Sequence, residues 1–142
     1  MKPLKKVLLL DDLKANNLIL EELIRVIDSS VECISFTRAK DAINHLSSTD
    51  EFPELIITDL NMPEIDGFDF LEIYENLFFR ENFNTKIFMV TASTSTKDRF
   101  RANRFKSLSA YESKLSINYE LADLLVKHFP NIKRRMDPAQ AN

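Results

Sequence analysis

The sequence predicts an α/β domain built on a parallel sheet, and three observations carry that prediction. Three short runs, KVLLLDD (6–12), ELIITD (54–59) and KIFMVTA (86–92), are apolar on both alternating faces. Runs of that kind suit central parallel strands covered by helices on both sides. Helical patterns with apolar residues at i, i+3, i+4 and i+7 lie between strand-like runs. Strand and helix alternate five times over 142 residues, the length of one ordinary domain.

The elements follow in order. After the first strand, Leu20, Leu23, Ile24 and Ile27 mark the buried stripe of a first helix. VECISF (31–36) is only half apolar and reads as an edge strand, followed by a short helix over 38–47. ELIITD is the third strand, and Phe70, Ile73, Tyr74 and Leu77 define the stripe of the helix after it. KIFMVTA is the fourth strand, with a short helix over 95–106. SAYESK (109–114) is a weaker fifth strand, and Ile117, Leu121, Leu124 and Leu125 line the last helix. The tail NIKRRMDPAQAN, after Pro130, has no apolar period and is expected to fray. The expected organisation is one domain over 1–129 and a tail over 130–142.

Composition narrows the function classes. The chain is 44% hydrophobic and 29% charged with a formal net charge of −3, which argues against non-specific nucleic-acid binding. No apolar run approaches the length that crosses a bilayer and no signal-peptide pattern opens the chain, so no membrane partner is expected. One cysteine, Cys33, excludes an internal disulfide and reads as a small buried hydrophobe, with a reducing cytoplasm as the default location. A single glycine, Gly67, excludes the Gly-x-Gly loop of a dinucleotide-binding module.

In open α/β sheets, ligands bind beyond the carboxyl ends of the strands where strand order reverses. Asp11 and Asp12 close the first strand, Asp59 the third, Thr91 the fourth and Lys114 the fifth. With strand order 2-1-3-4-5, three carboxylates converge at the switch point, with a hydroxyl and an ammonium to one side. Three clustered carboxylates need a compensating cation. Hard oxygen donors suit Mg²⁺, while His45 and His128 lie on helical segments without metal-ligand spacing. An acidic cradle with a lysine and a hydroxyl is equipment for a phosphoryl group, and a carboxylate can act as its nucleophile. Any one of these acids alone, Asp12 or Asp66 for instance, reads equally as a helix N-cap; the joint pattern at four strand ends does not.

These residues carry a resemblance. VLLLDD, LIITDLNMPEIDGFDFL, MVTA and YESK stand in the order and spacing of a receiver domain of a two-component response regulator, from Val7 to about Phe129. The resemblance implies a flavodoxin-like (βα)5 doubly wound sheet and a stand-alone phosphoacceptor module that catalyses only its own phosphorylation and dephosphorylation. It implies that Asp59 is phosphorylated and that Asp12 is a direct Mg²⁺ ligand. Asp11 holds the metal through water, and the backbone carbonyl of Asn61 completes the site. Thr91 and Lys114 match the residues that bind phosphoryl oxygens, and Tyr111 matches an aromatic switch that turns inward with Thr91. The implied donor is a sensor histidine kinase or a histidine phosphotransfer protein. The implied output is a downstream protein, or a homodimer, engaging the face of the fourth helix, fifth strand and fifth helix. No helix-turn-helix module is present, so direct DNA binding is not expected. Around the motif, Met62-Pro63 is expected to stiffen the loop, Asp66 to cap the third helix and Gly67 to supply a backbone turn of positive φ.

Three features depart from the family pattern. Leu115 follows Lys114 where the family places a cis-linked proline, so either a costly cis bond is kept or Lys114 is aimed differently. Ser107 and Leu108 replace the usual glycine and alanine before the fifth strand, which predicts a repacked loop. KDRFRANRFK (97–106) carries five basic residues against one acid, a solvated face or a dock for an acidic partner. The missing proline favours an alternative, a degenerate receiver that docks without phosphorylation, and the intact acids oppose it. Hydrolases of the haloacid-dehalogenase kind also use a strand-end aspartate, but they place a second aspartate two residues on, where this chain has Asn61.

Overall fold

The structure, a computed structural model, describes residues 2–132; the rest of the expected tail, 133–142, lies outside the described residues. Five strands form one parallel sheet in the order β2-β1-β3-β4-β5: β1 (Lys6–Leu10), β2 (Glu32–Phe36), β3 (Leu55–Thr58), β4 (Lys86–Thr91) and β5 (Leu108–Ser113). The helices alternate with them: α1 (Lys14–Ile27), α2 (Ala39–Ser48), α3 (Gly67–Leu77), α4 (Thr96–Ala102) and α5 (Ile117–His128). The architecture is the flavodoxin-like fold read from the sequence, with VECISF on an edge as expected.

The two faces of the sheet account for the runs that are apolar in both registers. Leu8, Leu10, Ile56, Ile87 and Met89 point into one core with α2, α3 and Ala102 of α4. Val7, Leu9, Leu55, Ile57, Phe88 and Val90 point into the other, against Leu20 and Ile24 of α1 and Ile117, Leu121 and Leu125 of α5. A sheet covered on both sides buries its central strands completely, so alternation disappears from their sequence. Ile132, at the end of the described chain, is half-buried against the α1/α5 core, and its amide donates to Phe129 O at 3.0 Å.

The stripe of α3 departs in part from the predicted one: Phe70 and Tyr74 are buried as expected and Ile73 is half-buried, but Leu77 is not covered. Phe68, Phe70, Leu71 and Tyr74 are buried, whereas Leu77 is 59% exposed. Asp66 caps the helix through a reciprocal box, accepting from the Asp69 amide at 2.8 Å while Asp69 accepts from the Asp66 amide at 3.2 Å.

Gly67 has a different role from the one expected. Its φ is not positive. A Cβ there would lie 2.5 Å from Asp59 O, 2.8 Å from Leu60 Cα and 2.9 Å from Met89 Cε, so the residue is glycine because no side chain fits. The positive φ belongs to Glu64, at 70°. It sits at the centre of a γ-turn closed by the Ile65 amide on Pro63 O at 2.8 Å, a strained conformation for a residue with a side chain. Glu64 is tied outward to Arg38 at 3.4 Å.

The loop into β5 is tied to α3 through Ser107. Both the amide and the hydroxyl of Ser107 donate to Glu75 Oε2 of α3, at 2.9 and 2.7 Å. The pairing of β5 on β4 shifts register between Ile87 and Phe88, where the Ser109 hydroxyl accepts the Ile87 amide at 3.4 Å.

Candidate functional site

The carboxyl ends of β1 and β3 bring three acids together. Asp11, Asp12 and Asp59 each offer a carboxylate oxygen within 4.8 Å of the others; Asp11 and Asp59 are buried and Asp12 is half-buried. Asp59 follows directly on β3, and its amide donates to Leu10 O at 2.8 Å, which locks the end of β3 against the end of β1. Its Oδ1 accepts from the Leu60 amide at 2.8 Å, leaving Oδ2 for the site.

Lys114 completes the arrangement. Its Nζ lies 3.1 Å from Asp11 Oδ2 and 3.2 Å from Asp59 Oδ2. The described residues contain no cis peptide bond, so the ammonium reaches both acids from a trans Lys114–Leu115 linkage. The strand end supplies the aim instead: the Lys114 amide donates to Thr91 O at 2.9 Å, carrying the β4–β5 ladder one residue past β5.

The electrostatics follow from this packing. Burial pushes the Asp59 carboxyl above the usual carboxylate range and the charge of Asp11 adds to it; Lys114 and the Leu60 amide oppose. Burial would lower the Lys114 ammonium, but its hydrogen bond to Asp11 and the charges of Asp59 and Asp11 outweigh that and hold it above its ordinary value. The cluster therefore holds more negative charge than one lysine balances.

The other expected residues have distinct places. Thr91 ends β4, is buried, and its Oγ1 accepts from the Ser93 amide at 3.0 Å. Asn61 is exposed in the loop after Asp59. Tyr111, on β5 opposite Met89, packs half-buried against the α2/α3 core with its hydroxyl enclosed, and Arg99 of α4 lies 5.0 Å above its ring. Burial raises the Tyr111 phenol, with Ser93 opposing. Of the basic residues in 97–106, Arg101 pairs with Glu72 of α3 at 3.7 Å and covers Phe68, which stacks on Phe105. At the start of α4, Ser95 accepts the Asp98 amide at 3.3 Å and Ser93 donates to Asp98 Oδ2 at 2.6 Å.

Two residues of the site escaped the sequence reading. Asn16 Nδ2 donates to Asp11 Oδ2 at 3.2 Å, beside the 2.9 Å bond that Asp11 Oδ1 accepts from the amide of Leu13, the N-cap residue of α1. Asn17 is buried in the helix stripe with Leu20 and Ile24 and donates to the backbone. The available signal was a polar residue at a stripe position, i−3 from Leu20.

Residues 7–110 match the response regulator receiver domain family, and the chain belongs to it. A two-component response regulator from Cytophaga hutchinsonii superposes with a TM-score of 0.80 at 25% identity, over 92% of this chain and all of that one. The phosphorylated cyanobacterial phytochrome response regulator RcpA (TM-score 0.73, 20% identity, 89% of this chain and 94% of that one) shares the fold. So does the Mn²⁺-bound response regulator Rcp1 (TM-score 0.73, 22% identity, 93% and 99%). In sequence, the transcriptional regulatory protein FlgR of Helicobacter pylori is 40% identical over 57 residues. That match spans 40% of this chain and 14% of the regulator's length. No helix among the described residues is long and apolar enough to cross a membrane.

Proposed function

We propose that the chain is a phosphoacceptor of a two-component relay, in which Asp59 takes a phosphoryl group from a phosphohistidine on a sensor kinase or phosphotransfer protein. The observation that carries this reading is the convergence of Asp11, Asp12 and Asp59 within 4.8 Å with Lys114 on two of them.

The donor set fits Mg²⁺. It is all hard oxygen, without histidine or cysteine, and Asp59 is held in excess negative charge that a cation relieves. Asp12, Asp59 and the Asn61 carbonyl would hold the ion directly, and Asp11 through water. When bound, the ion supplies the positive charge that lets an anionic phosphoryl group approach three carboxylates.

The chain's own groups do the rest. Asp59 Oδ2 attacks phosphorus, the P–N bond breaks, and the imidazole leaves with the electron pair and takes up a proton. Lys114 then moves its charge from the carboxylates to a phosphoryl oxygen, and the Thr91 hydroxyl donates to another. No turnover of an external substrate belongs to this reading. Its setting is the cytoplasm, and its output is a change in what the α4-β5-α5 face binds, a partner protein or a second copy.

The test is intact mass after incubation with acetyl phosphate or a phosphohistidine donor, with and without Mg²⁺, on the native protein and Asp59→Asn. A Mg²⁺-dependent adduct on the native protein alone is expected. Failure with both donors, in folded protein that binds Mg²⁺, leaves the phosphorylation-independent docking module as the better account.

A further inference from the structure

We infer that Asn17 is a positioning residue for the metal-binding acids, acting on Asp12 through the backbone of Asp11; this rests on the metal reading above. The helix period asks for an apolar residue at position 17, since the buried stripe of α1 runs 17, 20, 24. The chain places an amide there, 1% exposed, at the cost of desolvating it. Its Oδ1 makes no hydrogen bond to the protein, so the amide is retained for what its nitrogen does.

That nitrogen donates to Phe36 O at 3.0 Å and to Asp11 O at 3.3 Å. These carbonyls terminate adjacent strands: Leu10 pairs with Phe36 in the β1–β2 ladder, and the Asp11 amide makes one further bond to Phe36 O at 3.2 Å. Beyond that point β1 leaves the sheet and enters α1 within three residues. Asn17 spans the divergence and holds the Asp11 carbonyl at the last place where β2 provides a reference.

The consequence falls on Asp12. The Asp11 carbonyl and the Asp12 amide share one planar unit, so holding the carbonyl fixes the plane from which Asp12 hangs. The Asp11 carboxylate needs no such help, because Leu13, Asn16 and Lys114 all hold it. The Asp12 carboxylate makes no hydrogen bond or ion pair with the described residues, so its direction comes from its backbone. Groups that orient metal ligands from behind typically matter tenfold or more in affinity.

The test is Mn²⁺ titration, followed by electron paramagnetic resonance of the free ion, on the native protein, Asn17→Leu and Ile24→Val. Leucine keeps the branched heavy-atom skeleton of asparagine and suits the apolar stripe but cannot donate. Ile24→Val weakens the same stripe two turns away without touching the acids. Urea unfolding gives the stability of each. The expected result is Mn²⁺ binding about tenfold weaker in Asn17→Leu, with Ile24→Val binding as the native protein does. Asn17→Leu affinity within twofold of native overturns the inference, as does a loss shared by Ile24→Val. Absence of binding in the native protein overturns the metal reading itself, a result distinct from either.

Discussion

Replacing Gly67 by alanine sets two effects of opposite sign against each other. Gly67 opens α3 with an ordinary φ, so helix propensity alone favours alanine by about 0.5–1 kcal/mol. Space opposes it. The added methyl would stand 2.5 Å from Asp59 O and 2.8 Å from Leu60 Cα, both backbone atoms, and 2.9 Å from Met89 Cε. Carbon atoms pack comfortably at about 3.5–4.0 Å, so the backbone must retreat by about 1 Å. The Met89 methyl can swing aside, but the Asp59 carbonyl belongs to the strand end that carries the acidic cluster. The 2.7 Å bond from the Gly67 amide to Leu60 O stretches with it. Overpacking of this kind costs about 1–3 kcal/mol, more than propensity returns. Gly67→Ala is therefore expected to be destabilised by about 1–2 kcal/mol in urea unfolding followed by circular dichroism. It is also expected to take phosphate from acetyl phosphate more slowly than native protein. An unfolding midpoint equal to or above the native one, with an unchanged m-value, would refute the steric account.

Three further outcomes are expected. Asp59→Asn should raise the urea midpoint at neutral pH, because it removes a buried carboxylate destabilised by burial and by Asp11; the gain should shrink as the pH falls toward the ordinary carboxylate range, since native Asp59 takes up its proton before the unfolded chain does. Tyr74→Phe should leave stability unchanged or raise it by up to about 1 kcal/mol, since the enclosed hydroxyl makes no hydrogen bond of good geometry. With the Tyr74 phenol pushed up by burial to about 12, native stability should fall as the pH rises from 10 toward 12, where the unfolded chain ionises first, and Tyr74→Phe should lose part of that slope. Cys33, whose thiol burial raises to about 12, should resist iodoacetamide at pH 8 in the folded protein and react once urea unfolds it, as mass spectrometry would read.

The strands and their order were legible because a doubly covered sheet writes continuous apolar runs, and the acids were legible because each ends such a run. The α3 stripe was legible only in part, since Phe68, Phe70, Leu71, Ile73, Tyr74 and Leu77 offer several competing stripes. A glycine announces that a side chain is excluded without saying whether by torsion or by space; at Gly67 it is space. The aim of Lys114 hung on a missing proline, yet the ladder bond to Thr91 O does that work from another strand. Glu75 and Ser107 lie 32 residues apart, beyond the reach of any local pattern. Asn17 was passed over because a polar residue in a helix reads as surface until its neighbours are known.

The serine at position 107 changes the mechanics of the short helix beside it. α4 spans seven residues, about 10 Å of axis, and is moored at both ends. Ser93 and Ser95 grip Asp98 at its start, and the loop after its end is bolted to α3 through Glu75. A rod fastened at both ends and keyed into the core by Ala102 is held against both sliding and rolling, so its outer face, with Phe100 68% exposed, can shift only together with the two loops that hold it.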